Sequence, residues 1–145
     1  MKITSLYPVL ATNDVTATAD FFRHHFGFDT AFESDWYVSL SLDSWELAIL
    51  RADHPTVPEA FRGRTAGGLL LNIEVPDVDA LHDRLLASGL TPVLPLRSEE
   101  FGQRHAIFAG PEGVLIDVIT PIPPSDEYAA RFSAEALDET RAGTA

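Results

Sequence analysis

A short pattern recurs along this chain with an offset of 63 residues, and a repeat of that period limits the possible folds more than any single motif does. Thr12-Asn13-Asp14-Val15 closes an apolar run and opens a helical pattern, and Val75-Pro76-Asp77-Val78 does the same later in the chain. A glycine ends each helical pattern, in Phe26-Gly27-Phe28 and in Ser88-Gly89-Leu90. Three short strands are predicted after each glycine. One supersecondary unit used twice makes a cleft between its copies, and the residues that face the cleft decide function.

The local signals fill in each copy. Leu6 to Ala11 reads as a strand with Pro8 near its start or on a free edge. Asn13 or Asp14 is suited to cap a helix, because a side-chain oxygen there can accept from an exposed helical N–H. Val15, Ala19, Phe22 and Phe26 then recur on one helical face, and Gly27 tolerates the positive φ that closes it. Strands are expected at 28–33, 35–42 and 45–51, with Asp43-Ser44 as a tight turn. In the second copy Leu69–Val75 is the first strand, Asp77 the cap, and Val78, Leu81 and Leu85 the buried helix face. Strands follow at 90–97, 103–109 and 114–120, the last two joined by a Gly110-Pro111-Glu112-Gly113 turn.

This divides the chain into a first βαβββ unit at 1–51, a linker at 52–68, a second unit at 69–121 and a tail at 122–145, all within one domain. The linker carries two prolines and three glycines and breaks both periodicities. A short amphipathic helix is expected at Asp126–Phe132. The fold class is α+β: two βαβββ repeats forming paired, curved, mostly antiparallel sheets around a cleft.

Charge and composition exclude several partners. The formal net charge is −12, which disfavours nucleic acid and anionic membrane surfaces. There are no cysteines, so thiolate and disulfide chemistry are excluded. No apolar run reaches the roughly 20 residues of a membrane span, and Met1–Ser5 does not read as a signal peptide. A cytoplasmic protein is expected.

The order of elements resembles the vicinal oxygen chelate superfamily, which includes glyoxalases, extradiol dioxygenases and bleomycin-resistance-type binding proteins. The resemblance covers about residues 3–122 and rests on the Asn13-Asp14-Val15 step and on Phe101-Gly102-Gln103-Arg104-His105 leading into Gly110–Asp117. The second stretch is similar to the drug-binding branch. Enzymes of the family bind a divalent metal through the first and fourth strands of each unit. Carried over, those positions fall on Tyr7, Ala48, Leu70 and Asp117. Alanine and leucine offer no lone pair, and one carboxylate is no cage for a cation. The resemblance with these substitutions implies no metal, no cofactor and no catalytic set.

Strand alternation gives Tyr7, Val9 and Ala11, Leu70, Asn72 and Glu74, and Leu115, Asp117 and Ile119 the parity that faces the cleft in the resembling proteins. Trp36, Trp45, Phe101 and Phe108 are expected to add aromatic area. The candidate ligand-binding set is therefore Tyr7, Trp36, Asn72, Phe101, Arg104, His105 and Asp117, a mix suited to a flat aromatic ligand. Each tryptophan has a core or interface role as its alternative, and His105 a scaffold role. Asp117, if buried, needs a partner. Arg104 is one candidate, a ligand N–H another, and a general-base role a third. Besides a regulatory or accessory domain with no ligand of its own, two functions are compatible with these residues. One is a binding protein that sequesters an aromatic, antibiotic-like molecule in a bacterial cytoplasm, a cationic one being favoured by the net negative charge. The other is an enzyme of the same fold with a displaced metal or metal-free acid–base chemistry through Tyr7, Glu74, His105 or Asp117. The resemblance also implies a homodimer.

Overall fold

The computed structural model describes residues 1–142. Contacts divide the chain into two compact units: Met1–Leu69 with Gly110–Val114, and Leu70–Ala109 with the residues from Leu115 on. The last three residues of the tail expected at 122–145 lie outside the described residues.

In the first unit β1 (Val9–Thr12) leads through α1 (Val15–Phe26) to β2 (Asp29–Glu33), β3 (Tyr37–Leu42) and β4 (Trp45–Arg51). The sheet order is β1-β4-β3-β2, with β1 parallel to β4 and the other pairs antiparallel. The parallel pair follows from the helical crossover, which a hairpin could not supply. Asp14 is the cap, its Oδ1 accepting from the Ala17 N–H at 2.9 Å, and Gly27 closes the helix at φ 74°. Val15, Ala19, Phe22 and Phe26 are all buried, so the periodic face is the packed one. It meets β3 and β4, whose Val38, Leu40, Leu47 and Ile49 are buried in turn. Sealing Phe22 completely from water contributes about 2–3 kcal/mol.

The turn Gly110–Val114 belongs to this unit because of Glu112. That residue sits in the left-handed region at φ 57°, and its Oε1 accepts from the Asn13 N–H at 2.9 Å and the Thr12 hydroxyl at 3.3 Å. The carboxylate thereby neutralises donors at the positive end of α1.

The second unit repeats the plan: β5 (Leu70–Glu74), α2 (Val78–Ala87), β6 (Pro92–Glu99), β7 (Gln103–Ala109) and β8 (Leu115–Pro121), in sheet order β5-β8-β7-β6. Asp77 caps α2 through the Ala80 N–H at 3.0 Å. Val78 and Leu85 are buried under the helix, while Leu81 is only half-buried. β6 runs two residues further than the sequence predicts and carries register shifts between Pro92 and Leu94 and between Leu94 and Arg97. Phe108 is a correction. It pairs with Ile116 and is fully buried, 6.1 Å from the His82 ring on α2. It is core rather than cleft.

The tail is more structured than its sequence suggests. The Ile122 N–H donates to the Gly102 carbonyl at 2.9 Å and the Ser125 N–H to the Glu100 carbonyl at 2.8 Å, holding the segment on the second unit. The expected helix is shorter, α3 at Asp126–Ala129, and a further helix, α4 at Ala134–Ala142, follows it. Among the described residues no helix is long and apolar enough to cross a membrane.

Candidate functional site

Register assigns each side chain to a face. In the second unit Asn72 lies opposite Asp117, Glu74 opposite Ile119, and on the other side of β8 His105 lies opposite Ile119 and Ile107 opposite Asp117. Asn72, Glu74, His105, Asp117 and Ile119 therefore share the face turned away from α2. Leu71 and Ile73 take the α2 face, as alternation predicts.

On that face His105 and Asp117 are both buried, at 5% and 4% exposure, and bonded to each other. Nδ1 of His105 lies 2.9 Å and 3.1 Å from the two Asp117 carboxylate oxygens. Its Nε2 is 3.3 Å from Oε1 of Glu99, which in turn accepts from Arg97. Only a ring protonated on both nitrogens can donate to both carboxylates at once. Burial pushes the Asp117 carboxyl above the ordinary carboxylate range, and the His105 hydrogen bond pulls it part of the way back. Glu99 is held below that range by Arg97 first and His105 second. The Phe101 ring stands edge-on to His105, with centroids 6.0 Å apart, and Tyr128 from α3 meets Phe101 at 6.2 Å.

Arg104 is not the partner of Asp117. It is next to His105 in β7, so its side chain leaves the sheet on the α2 side. There it forms a two-pronged ion pair with Asp79 at 2.7 Å and 2.8 Å and reaches Ser98 at 3.3 Å. That pair holds the Asp79 carboxyl below its ordinary value. Alternation along β7 was the signal for this: residues 105 and 107 share the face of Asp117, and 104 does not. Glu99 and Arg97 were missed because the register shifts in β6 break the alternation on which parity arguments depend.

The first unit shows the same positions without a carboxylate or an imidazole. β1 pairs Val9 with Ala48, and β3 pairs Ser39 with Ala48 and Tyr37 with Leu50. The counterparts of Asn72, Asp117 and His105 are thus Val9, Ala48 and Tyr37. Tyr7 is partly exposed and neighbours Tyr37, whose hydroxyl is pushed above its ordinary value by burial and by Tyr7. Trp36 stacks on His54 at 3.8 Å with the rings 7° from parallel. Trp45 is 72% exposed at the start of β4.

The side chains do not fit the divalent metal of the family's enzymes. Ala48 and Leu70 have no donor atom, and both Asp117 oxygens are engaged by His105. Among the described residues no three His, Asp or Glu side chains are grouped to hold an ion.

Where the ends of β5, β7 and β8 meet the tail, the second unit has a recess of about 380 Å³. Glu74, Phe101, Gln103 and Pro121 line it from the sheet, and Phe132 and Glu139 from the tail. Its volume is in the range of small-molecule sites.

Comparison with known proteins agrees with this architecture. The sequence profile described as Glyoxalase/Bleomycin resistance protein/Dioxygenase superfamily matches residues 4–118. A search of curated proteins returns no match. Among solved structures, a glyoxalase/bleomycin resistance protein/dioxygenase from Nocardioides superposes with a TM-score of 0.71 at 19% identity, covering 84% of this chain and 86% of that one. TioX from Micromonospora sp. ML1 superposes at 0.65 with 23% identity, covering 83% and 100%. A bleomycin resistance determinant encoded on the transposon Tn5 superposes at 0.62 with 17% identity, covering 82% and 98%. At these identities the structures speak for the fold alone, and the profile, which spans most of the chain, speaks for the family. The chain belongs to the glyoxalase/bleomycin resistance protein/dioxygenase superfamily.

Proposed function

We propose that this protein binds a small aromatic, antibiotic-like molecule on the outward face of its second sheet and holds it unchanged. The observation that carries this reading is the closure of the His105–Asp117 pair. The two groups best placed for proton transfer satisfy each other, and the positions that would hold a metal are apolar or engaged. What the face offers a ligand is half-exposed aromatic surface at Phe101, with Asn72 and Glu74 as polar contacts. The Tn5 determinant adds a precedent for drug resistance on this fold. A cytoplasmic homodimer is part of the same reading. Leu6, Val9, Phe32 and Trp45 of the first unit are exposed apolar residues of the kind a second copy would cover.

Isothermal titration with bleomycin, mitomycin C and a panel of planar antibiotics tests the proposal, with mass spectrometry of the recovered compound. Saturable binding and intact compound are expected. Conversion of the compound would contradict it and favour acid–base chemistry through His105, the one alternative for which a buried His–Asp pair speaks. Sedimentation of the free protein tests the dimer.

A further inference from the structure

We infer that the recess between the second sheet and the C-terminal helix α4 is a site for an organic cation, an aromatic molecule bearing a fixed positive charge. This inference rests on the small-molecule reading above and names the class of ligand. Six side chains of the recess carry the argument: Glu74, Phe101, Gln103, Pro121, Phe132 and Glu139. Two are carboxylates, two are phenyl rings, and no Lys, Arg or His is among the described residues that line it.

Among residues 1–139, whose side chains the structure describes, neither Glu74 nor Glu139 has a hydrogen-bond or ion-pair partner, although Arg97, Arg104 and Arg131 of the same unit are each paired with another carboxylate. Phe101 and Phe132 are 39% and 37% exposed, so each ring leaves a face uncovered beside the carboxylates. A ring face attracts a cation through its quadrupole, and the exposed carboxylates of Glu74 and Glu139 beside the rings add a Coulombic attraction that water and salt weaken. A neutral or anionic molecule gains neither.

Part of the recess lies outside the stretch that the family profile matches. Phe132 and Glu139 lie beyond residue 118, where the family profile ends. The segment that carries them is fixed by the bonds from Ile122 to Gly102 and from Ser125 to Glu100. Gly102 is at φ 107°, and a Cβ there would come within 3.1 Å of the Ile122 carbonyl oxygen, so the close approach that seats the tail needs a glycine.

A matched pair of probes tests the inference by titration calorimetry at pH 8. N-methylacridinium carries a fixed charge, and acridine has nearly the same shape and is neutral at that pH. The cation should bind more tightly than acridine by about tenfold, and Glu74→Gln and Glu139→Gln should each weaken it by about fivefold without changing acridine. Asp138→Asn, which removes the same charge from a neighbouring position on α4, should change neither by more than about twofold. Equal affinity for the two probes, or equal loss from Asp138→Asn and Glu139→Gln, would overturn the cation site while leaving the binding of an aromatic ligand standing. Failure of both probes to bind at millimolar concentration would also overturn it. Failure of the wider proposal would show instead as conversion of, or indifference to, every compound in the antibiotic panel.

Discussion

His105→Leu should destabilise the protein far more than the loss of one hydrogen bond suggests. In the parent, Asp117 is buried and its carboxylate is bonded only to Nδ1 of His105 among the described residues. Removing the ring strands a carboxylate away from water, and breaking a buried pair in this way costs about 3 kcal/mol. For a chain of this size that lowers the melting temperature by roughly 9 °C. His105→Leu with Asp117→Leu removes both polar groups and should return to within about 1 kcal/mol of the parent, because apolar side chains can fill a buried pair's space without a desolvation cost. Burial already raises Asp117 in the parent, and without His105 nothing pulls it back. A carboxyl raised in the folded state binds its proton more readily folded than unfolded. Its stabilising contribution is complete below the unfolded value and is lost as pH rises through the folded value. The deficit of His105→Leu should therefore be largest at pH 7 and shrink toward pH 4. Urea denaturation of the parent, both single variants and the double variant at the two pH values gives the full cycle. A single-variant cost below about 1 kcal/mol at pH 7, or a double variant no more stable than His105→Leu, would refute the reasoning.

Three further outcomes follow from the packing. Asp14→Ala and Asp77→Ala each remove a helix cap and should cost about 1 kcal/mol, read from the urea midpoint. Phe108→Leu should cost about 1–2 kcal/mol and leave ligand affinity unchanged, because the ring is sealed under α2; a loss of affinity with little loss of stability would return it to the cleft. Gly102→Ala strains a left-handed residue against the Ile122 carbonyl and should loosen the tail, seen as faster amide exchange across residues 122–137.

Much of this fold is legible in the sequence because its strongest signals are local. Asp14 and Asp77 cap helices in the sequence as in the structure, and the spacing of Val15, Ala19, Phe22 and Phe26 marks a buried face without knowledge of the sheet. The repeat also holds in three dimensions, since Val9 opposite Ala48 recurs as Asn72 opposite Asp117, although the offset grows from 63 residues at the first strand to 69 at the fourth. What failed needed the partner strand. Arg104 and His105 are neighbours in sequence, and the pairing of β7 with β8 is what sets which of the two shares the face of Asp117. Glu99 reaches His105 because β6 shifts register twice, and no periodicity announces a shift. The tail was underestimated for a different reason. Its contacts run to Glu100 and Gly102, and a segment held by distant backbone groups leaves little trace in its own composition.

The claim on which the rest depends is that this chain has kept its family's fold without a donor set for the family's divalent metal. Loading the purified protein with nickel, zinc, iron(II) or manganese, desalting it and measuring bound metal tests that directly. The account predicts under about a tenth of an equivalent of every ion, because Ala48 and Leu70 offer no ligand and Asp117 is engaged by His105. Close to one equivalent of any of them would contradict it and place an enzyme ahead of a binding protein.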